Sequence, residues 1–148
     1  MKRITFILIA WFCLINASAQ PPQFNPKQFE ADLEQFITVN AGLTPQEAAR
    51  FFPLFREMQD KQRLLFGKMR SYRHVDTNDD QASLKAIREC DNIDLQMKKI
   101  QQTYHIKFCK VLPAGKVLKI IHADEKFHRQ AFKKAFHGKG RPPKVDNK

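Results

Sequence analysis

The stretch Leu43-Thr44-Pro45-Gln46-Glu47 carries the strongest helix-start signal in the chain. A threonine at the N-cap accepts a hydrogen bond from a backbone N–H two or three residues later, and proline suits the first helical position. Glu47 lies three residues after Thr44, so its carboxylate can reach back and complete a capping box, with Leu43 as a hydrophobic staple. We therefore predict that a helix begins directly after Thr44.

Apolar residues recur at intervals of three and four on both sides of this start, which predicts an all-α fold. A first helix should begin at Asn25-Pro26, with Asn25 as its N-cap, and should end near Gly42. The helix that follows Thr44 should be kinked at Pro53, because a proline inside a helix removes one backbone hydrogen bond.

Two further helices are expected in the second half of the chain. A polar turn at residues 76–80 precedes a third helix of more than 30 residues, and Pro113 should end it and open a fourth helix at its first position, running to Gly138. The prediction is about four helices, two of them long, in a kinked helical hairpin. Residues 20–137 should form the single domain, followed by a basic disordered tail at residues 138–148.

Residues 1–19 have the order of a secretory signal peptide. Lys2 and Arg3 precede an apolar run from Ile4 to Ile15, and Ala17-Ser18-Ala19 is a small-residue cleavage site. The run is too short for a spanning helix, which needs roughly 20 residues. We therefore expect a mature protein that works outside the cytoplasm.

The positive charge and the aromatic residues meet near the C-terminal end. Residues 113–148 hold 10 Lys and Arg against 3 Asp and Glu, whereas residues 20–112 hold 14 against 12. A surface that mixes apolar and basic groups can bind non-native chains or anionic envelope surfaces, and export makes nucleic acid an unexpected partner. The residues predicted to contact clients or partners are Phe127, Arg129, Phe132, Lys133, Lys134 and Phe136.

No nucleophilic triad, phosphate loop or Rossmann glycine pattern is present, so we do not expect an enzyme. Two pairs of residues at helical spacing are candidate metal ligands: His105 with Cys109, and Asp124 with His128. Such pairs could hold zinc or copper if a partner helix supplied further ligands. The alternative is a half-buried cysteine beside a solvated histidine and a surface Asp–His pair, and no cofactor is otherwise predicted.

Two cysteines, Cys90 and Cys109, follow the predicted signal peptide. If both lie on one continuous helix, 19 residues at 1.5 Å place them roughly 28 Å apart, too far for a disulfide. They would then be buried small hydrophobic residues or intermolecular partners, unless the helix bends.

The opening motif also resembles that of the periplasmic LTxxQ-motif proteins, the Spy/CpxP-like chaperones and envelope-stress regulators. That family carries two copies of the motif, and the second would fall at residues 112–116, where the third and fourth helices meet. Here Glu47 occupies the fifth position of the first copy, and the second copy keeps only Leu112 of the motif.

The resemblance implies a periplasmic, ATP-independent chaperone that binds unfolded or stressed envelope proteins in a cradle-shaped homodimer of antiparallel long helices. It also implies that the motif residues fix the helix junctions: Leu43, Thr44, Pro45, Glu47, Leu112 and Pro113. One alternative is an envelope-stress sensor that binds a periplasmic signalling domain. A second alternative is a periplasmic metal-binding or metal-resistance protein.

Overall fold

The computed structural model describes residues 25–137, and for residues 136 and 137 the backbone alone. In this part of the chain there are four α-helices, one 3₁₀ turn and no β-strand, so the all-α prediction is confirmed. The helices are α1 (Pro26–Ala41), α2 (Pro45–Ser71), α3 (Asp80–Val111) and α4 (Ala114–His137), and the 3₁₀ turn is Tyr72–His74. The predicted signal peptide and tail lie outside the described residues.

Local capping chemistry explains where the first two helices begin and end. The Asn25 side chain accepts hydrogen bonds from the backbone N–H groups of Lys27 and Gln28 at the start of α1. Gly42 ends α1 with φ 63°, a left-handed conformation that favours glycine. Thr44 and Glu47 form the predicted capping box: the Thr44 hydroxyl accepts from the Glu47 N–H, and the Glu47 carboxylate accepts from the Thr44 N–H.

The α3–α4 junction differs from the prediction by one residue. The Asp79 carboxylate caps α3, and Leu112 is extended after the last turn of that helix. Pro113 lies just before α4 rather than at its first helical position, and its carbonyl accepts from the N–H groups of Lys116 and Val117. Helix boundaries commonly shift by this much.

Helix α2 continues as helix through Pro53, which is exposed.

The helices pack as two antiparallel pairs, α2 with α3 and α1 with α4. Phe51 in the second turn of α2 contacts Phe108 near the end of α3, with ring centroids 4.8 Å apart. The core lies where the α1–α2 and α3–α4 junctions meet, so the capped turns determine how the two pairs are joined. Its most completely buried large side chains are Leu33, Ile37, Phe51, Tyr104, Phe108 and Ile120.

Away from this core, the α2–α3 hairpin is thinly packed. Leu65 in α2 and Ile93 in α3 are buried there, whereas Leu64, Leu84 and Leu95 are exposed. These three leucines leave apolar surface of the hairpin uncovered within residues 25–137. Each forgoes about 1.5–3 kcal/mol of stabilisation that burial would contribute. None of the described helices combines the length and the apolar character needed to cross a membrane.

The cysteines lie on one helix, as predicted, and both thiols are free. Cys90 is partly buried, but Cys109 is exposed, so the interpretation of Cys109 as a buried hydrophobic residue is wrong. The core-facing side of α3 passes through Tyr104 and Phe108, and the 100° step to Cys109 turns its side chain away from the core.

Candidate functional site: an apolar groove between α1 and α4

The antiparallel pairing of α1 and α4 creates an open groove. Lys116, in the first turn of α4, reaches the Gly42 carbonyl at the end of α1. Three turns later, Phe127 packs against Phe29 and Phe36 on α1, with ring centroids 5.1 Å and 5.5 Å away. The two helices therefore converge on this aromatic cluster, which forms the floor of the groove.

The groove has a volume of about 1250 Å³ and is lined mainly by apolar side chains. Val39 on α1 and Phe132 on α4 remain 73% and 63% exposed at the two sides of the groove. Large apolar surfaces of this type commonly mark binding sites for protein or ligand. Its apolar lining residues are Phe29, Phe36, Val39, Phe127, Ala131, Phe132 and Ala135.

The charges around the groove differ between its two walls. The α4 wall contributes Lys134, and Lys126 lies 5.8 Å from the centroid of the Phe36 ring, within cation–π range. The α1 wall contributes Asp32, whose carboxylate accepts a hydrogen bond from Gln28. The groove therefore offers an apolar floor with a basic wall on α4, where the sequence places most of the positive charge.

His128 is a titratable group that contacts the floor. Its Nε2 atom lies 3.3 Å from the Asp124 carboxylate, and its ring centroid lies 5.8 Å from that of Phe29 and 6.0 Å from that of Phe127. The adjacent Asp124 carboxylate raises the pKa of His128, although burial opposes this. A rise in the pKa keeps more of the imidazole charged near neutral pH and adds to the basic wall.

The predicted contact residues are divided by this geometry. Phe127, Phe132 and Lys134 line the groove. Phe127 is half-buried and belongs to the edge of the core, so it forms floor rather than the exposed surface that the sequence predicts. Arg129 pairs with Glu125 one turn away, at 3.7 Å and largely exposed. Lys133 is exposed on the same helix, and the side chain of Phe136 lies outside the described residues.

Sequence reasoning missed the α1 wall as part of a binding site. Phe29 and Phe36 belong to the apolar stripe of α1, but nothing in that stripe indicates that α4 is its partner. Val39 is the sequence feature that indicates this wall, because it is apolar but lies off the core-facing stripe of α1.

The helix junctions that hold the groove in place contain the motif residues. Leu43 and Leu112 are buried in the core. The ammonium of Lys116 binds the Glu47 carboxylate, with Nζ 2.7 Å from Oε1. This hydrogen bond from Lys116 lowers the pKa of Glu47. The start of α4 is thereby tied to the capping box of α2, a role for Lys116 that the sequence does not reveal.

The two predicted metal-ligand pairs lie on different helices. His105 and Cys109 share a face of α3 and line a shallow hollow with Ile106. Burial lowers the pKa of His105, which favours the neutral form that binds metals. Asp124 and His128 face each other on α4. Among the side chains described, those of residues 25–135, no three from His, Cys, Asp or Glu come together as a group that could hold a metal ion.

Comparisons of the chain with protein-family models, with curated proteins and with solved structures find no match. Function must therefore be inferred from the groove, the charge distribution and the sequence signals.

Proposed function

We propose that this protein is an ATP-independent periplasmic chaperone that holds apolar segments of unfolded envelope proteins in the α1–α4 groove. The observation that carries the proposal is the aromatic floor formed by Phe29, Phe36 and Phe127 beneath the exposed side chains of Val39 and Phe132. An apolar segment that an unfolded protein exposes would lower the free energy by covering this surface, because both apolar surfaces leave water. Such a surface therefore does not require one particular native partner.

The basic wall supports clients that carry negative charge. Lys126 and Lys134 lie on the helix that also holds Lys133, so a client with acidic residues beside its apolar ones would be attracted to α4. Attraction of this kind speeds the encounter and weakens as salt screens it. The same wall would suit an anionic membrane surface.

The periplasmic location is supported by the sequence. The basic start, the short apolar run and the small-residue site in residues 1–19 have the order of an export signal. ATP is not supplied outside the cytoplasm, which favours a chaperone that holds its clients over one that is driven by ATP hydrolysis.

Aggregation suppression tests the proposal. Mature protein should reduce light scattering from several unrelated unfolding clients at near-stoichiometric ratio. Val39→Asp and Phe132→Asp should each raise the concentration needed for half-suppression about tenfold, as expected when a contact worth over 1 kcal/mol is lost. Leu64→Asp is the matched control, because Leu64 is 70% exposed but lies on α2, and it should act like the unchanged protein.

Two results would contradict the proposal. Equal suppression by all three variants would show that the groove does not bind clients. Failure to suppress any denatured client, combined with tight binding to one periplasmic signalling domain, would replace the chaperone with a stress sensor.

A further inference from the structure

The α1 residues that line the groove have the spacing of a helix-packing surface. Phe29, Asp32, Phe36 and Val39 lie three, four and three residues apart, which is the a and d spacing of a heptad repeat. Side chains at this spacing interlock with those of another helix, whereas a strand presents its side chains every second residue. Although Phe29 and Phe36 also contact α4, both are only half-buried, so this surface is still open to a further helix.

The groove is long enough for about three turns of a helix. Its α1 wall extends from Phe29 to Asn40, which at 1.5 Å per residue is roughly 16 Å. Its α4 wall extends from Phe127 to Ala135, which is roughly 12 Å. A client helix of this length would present its apolar side chains to the floor at positions i, i+4, i+7 and i+11.

The walls offer no backbone donors to an extended client. The N–H groups along both walls donate within their own helices, because Phe29 already bonds to the Asn25 carbonyl and residues 127–135 lie inside α4. The Asn40 amide, which also lines the groove, donates to the Phe36 carbonyl. An extended segment laid on the apolar floor would take its carbonyl groups out of water without new donors, which is unfavourable. A helical segment bonds these groups within itself.

The two walls carry opposite charges. Residues 29–40 of α1 hold three Asp and Glu and no Lys or Arg, whereas residues 126–135 of α4 hold four Lys and Arg and no Asp or Glu. Asp32 lines the groove on the α1 side and Lys134 on the α4 side. A helix whose apolar stripe lies between an acidic flank and a basic flank can therefore set each flank against the wall of opposite charge.

We propose that the groove binds its client as an amphipathic α-helix of about three turns, with its acidic flank toward α4 and its basic flank toward α1. The inference rests on the proposed function, because it states the conformation and the sequence pattern of the segment that is held. Segments with apolar residues three and four apart are then bound, and segments that alternate apolar and polar residues, as β-strands do, are not.

Three versions of one synthetic peptide test the bound conformation. The linear version has leucines at positions i, i+4, i+7 and i+11, glutamates on one flank and lysines on the other. The second has a lactam bridge between two outward-facing positions four residues apart, which locks the helix, and the third has proline at two outward-facing positions, which breaks it. Fluorescence anisotropy with the mature protein should show the lactam version binding at least as tightly as the linear one. The proline version should bind about tenfold more weakly or worse.

Variants of the protein test where the linear peptide binds. Val39→Asp should weaken its binding about tenfold, whereas Leu64→Asp on α2 should bind it like the unchanged protein. Carbon-13 labels in the peptide backbone should report a helical amide band on binding in isotope-edited infrared spectroscopy. Replacing the glutamates of the peptide by lysines should weaken binding, because a flank of like charge then faces α4.

The outcomes separate this inference from the proposed function. Equal binding of the proline and linear versions, or weaker binding of the lactam version, would overturn the helical mode. If Val39→Asp still weakened that binding, the groove would remain the client site. Equal binding of the linear peptide to Val39→Asp and to the unchanged protein would overturn both. Binding of none of the peptides would overturn the helical mode, and suppression of client aggregation would then decide the proposed function alone.

Discussion

Replacing Thr44 by alanine tests whether the capping box fixes the α1–α2 junction. The substitution removes the hydroxyl that accepts the Glu47 N–H at 3.3 Å. The other half of the box survives, since the Thr44 N–H still donates to the Glu47 carboxylate at 2.9 Å. The bond to Lys116 also survives, because it uses the Glu47 carboxylate and not the threonine side chain.

The expected loss therefore lies in the lower half of the usual range for an N-cap, which is about 0.5–2 kcal/mol. In the alanine variant the Glu47 N–H can donate a hydrogen bond to water, because this turn is exposed, so no buried donor is left without a partner. We expect a loss of about 1 kcal/mol in the free energy of unfolding. For a domain of this size that corresponds to a fall in Tm of about 4 °C.

Chemical denaturation followed by circular dichroism measures this directly. Thr44→Ser is the matched control, because serine keeps the hydroxyl and caps at least as well as threonine, so its stability should stay near that of the unchanged protein. An equal loss in the serine and alanine variants would refute the capping argument, since the methyl group and not the hydroxyl would then be responsible. No loss in either variant would show that the junction is held without the cap.

Three further predictions concern the groove and the candidate metal ligands. Phe127→Ala should lower the free energy of unfolding by about 1–3 kcal/mol, less than the loss at a fully buried phenylalanine, as measured by chemical denaturation. It should also weaken client binding, as measured by the anisotropy of a labelled client. Because Asp124 raises the pKa of His128, the pair should add stability that is complete below about pH 6.5 and disappears as pH rises through the folded-state pKa. Asp124→Asn should therefore lower Tm more at mildly acidic than at alkaline pH, and an equal loss at both would rule the pair out. If His105 and Cys109 are zinc ligands, titration calorimetry should show zinc binding to the unchanged protein and none to His105→Ala or to Cys109→Ser. The absence of binding heat when zinc is added to the unchanged protein would exclude the site.

The helix starts and ends could be predicted because they depend on chemistry within a few residues. Asn25, Thr44 and Glu47 make the predicted caps, and Gly42 ends α1 with the left-handed conformation expected of a terminal glycine. Each of these signals involves neighbours in sequence, so no knowledge of the tertiary structure was needed.

The groove could not be predicted, because it depends on which helix pairs with which. Phe127 looked like part of an exposed arm, yet it packs between Phe29 and Phe36, nearly a hundred residues away in sequence. Ile87 raises the related problem on α3, because it is an apolar residue at helical spacing from others yet is 59% exposed. Apolar periodicity locates a helix face without showing whether another helix covers it.

Site-specific photocrosslinking at the groove tests the central claim most directly. A benzoyl-phenylalanine placed at Val39 should crosslink to an unfolded client, less so as salt is raised, and should not crosslink to the same client in its native state. The same probe at Leu64, which is equally exposed on α2, should give little product. Equal crosslinking from both positions, or none from Val39, would contradict the assignment of the α1–α4 groove as the client site.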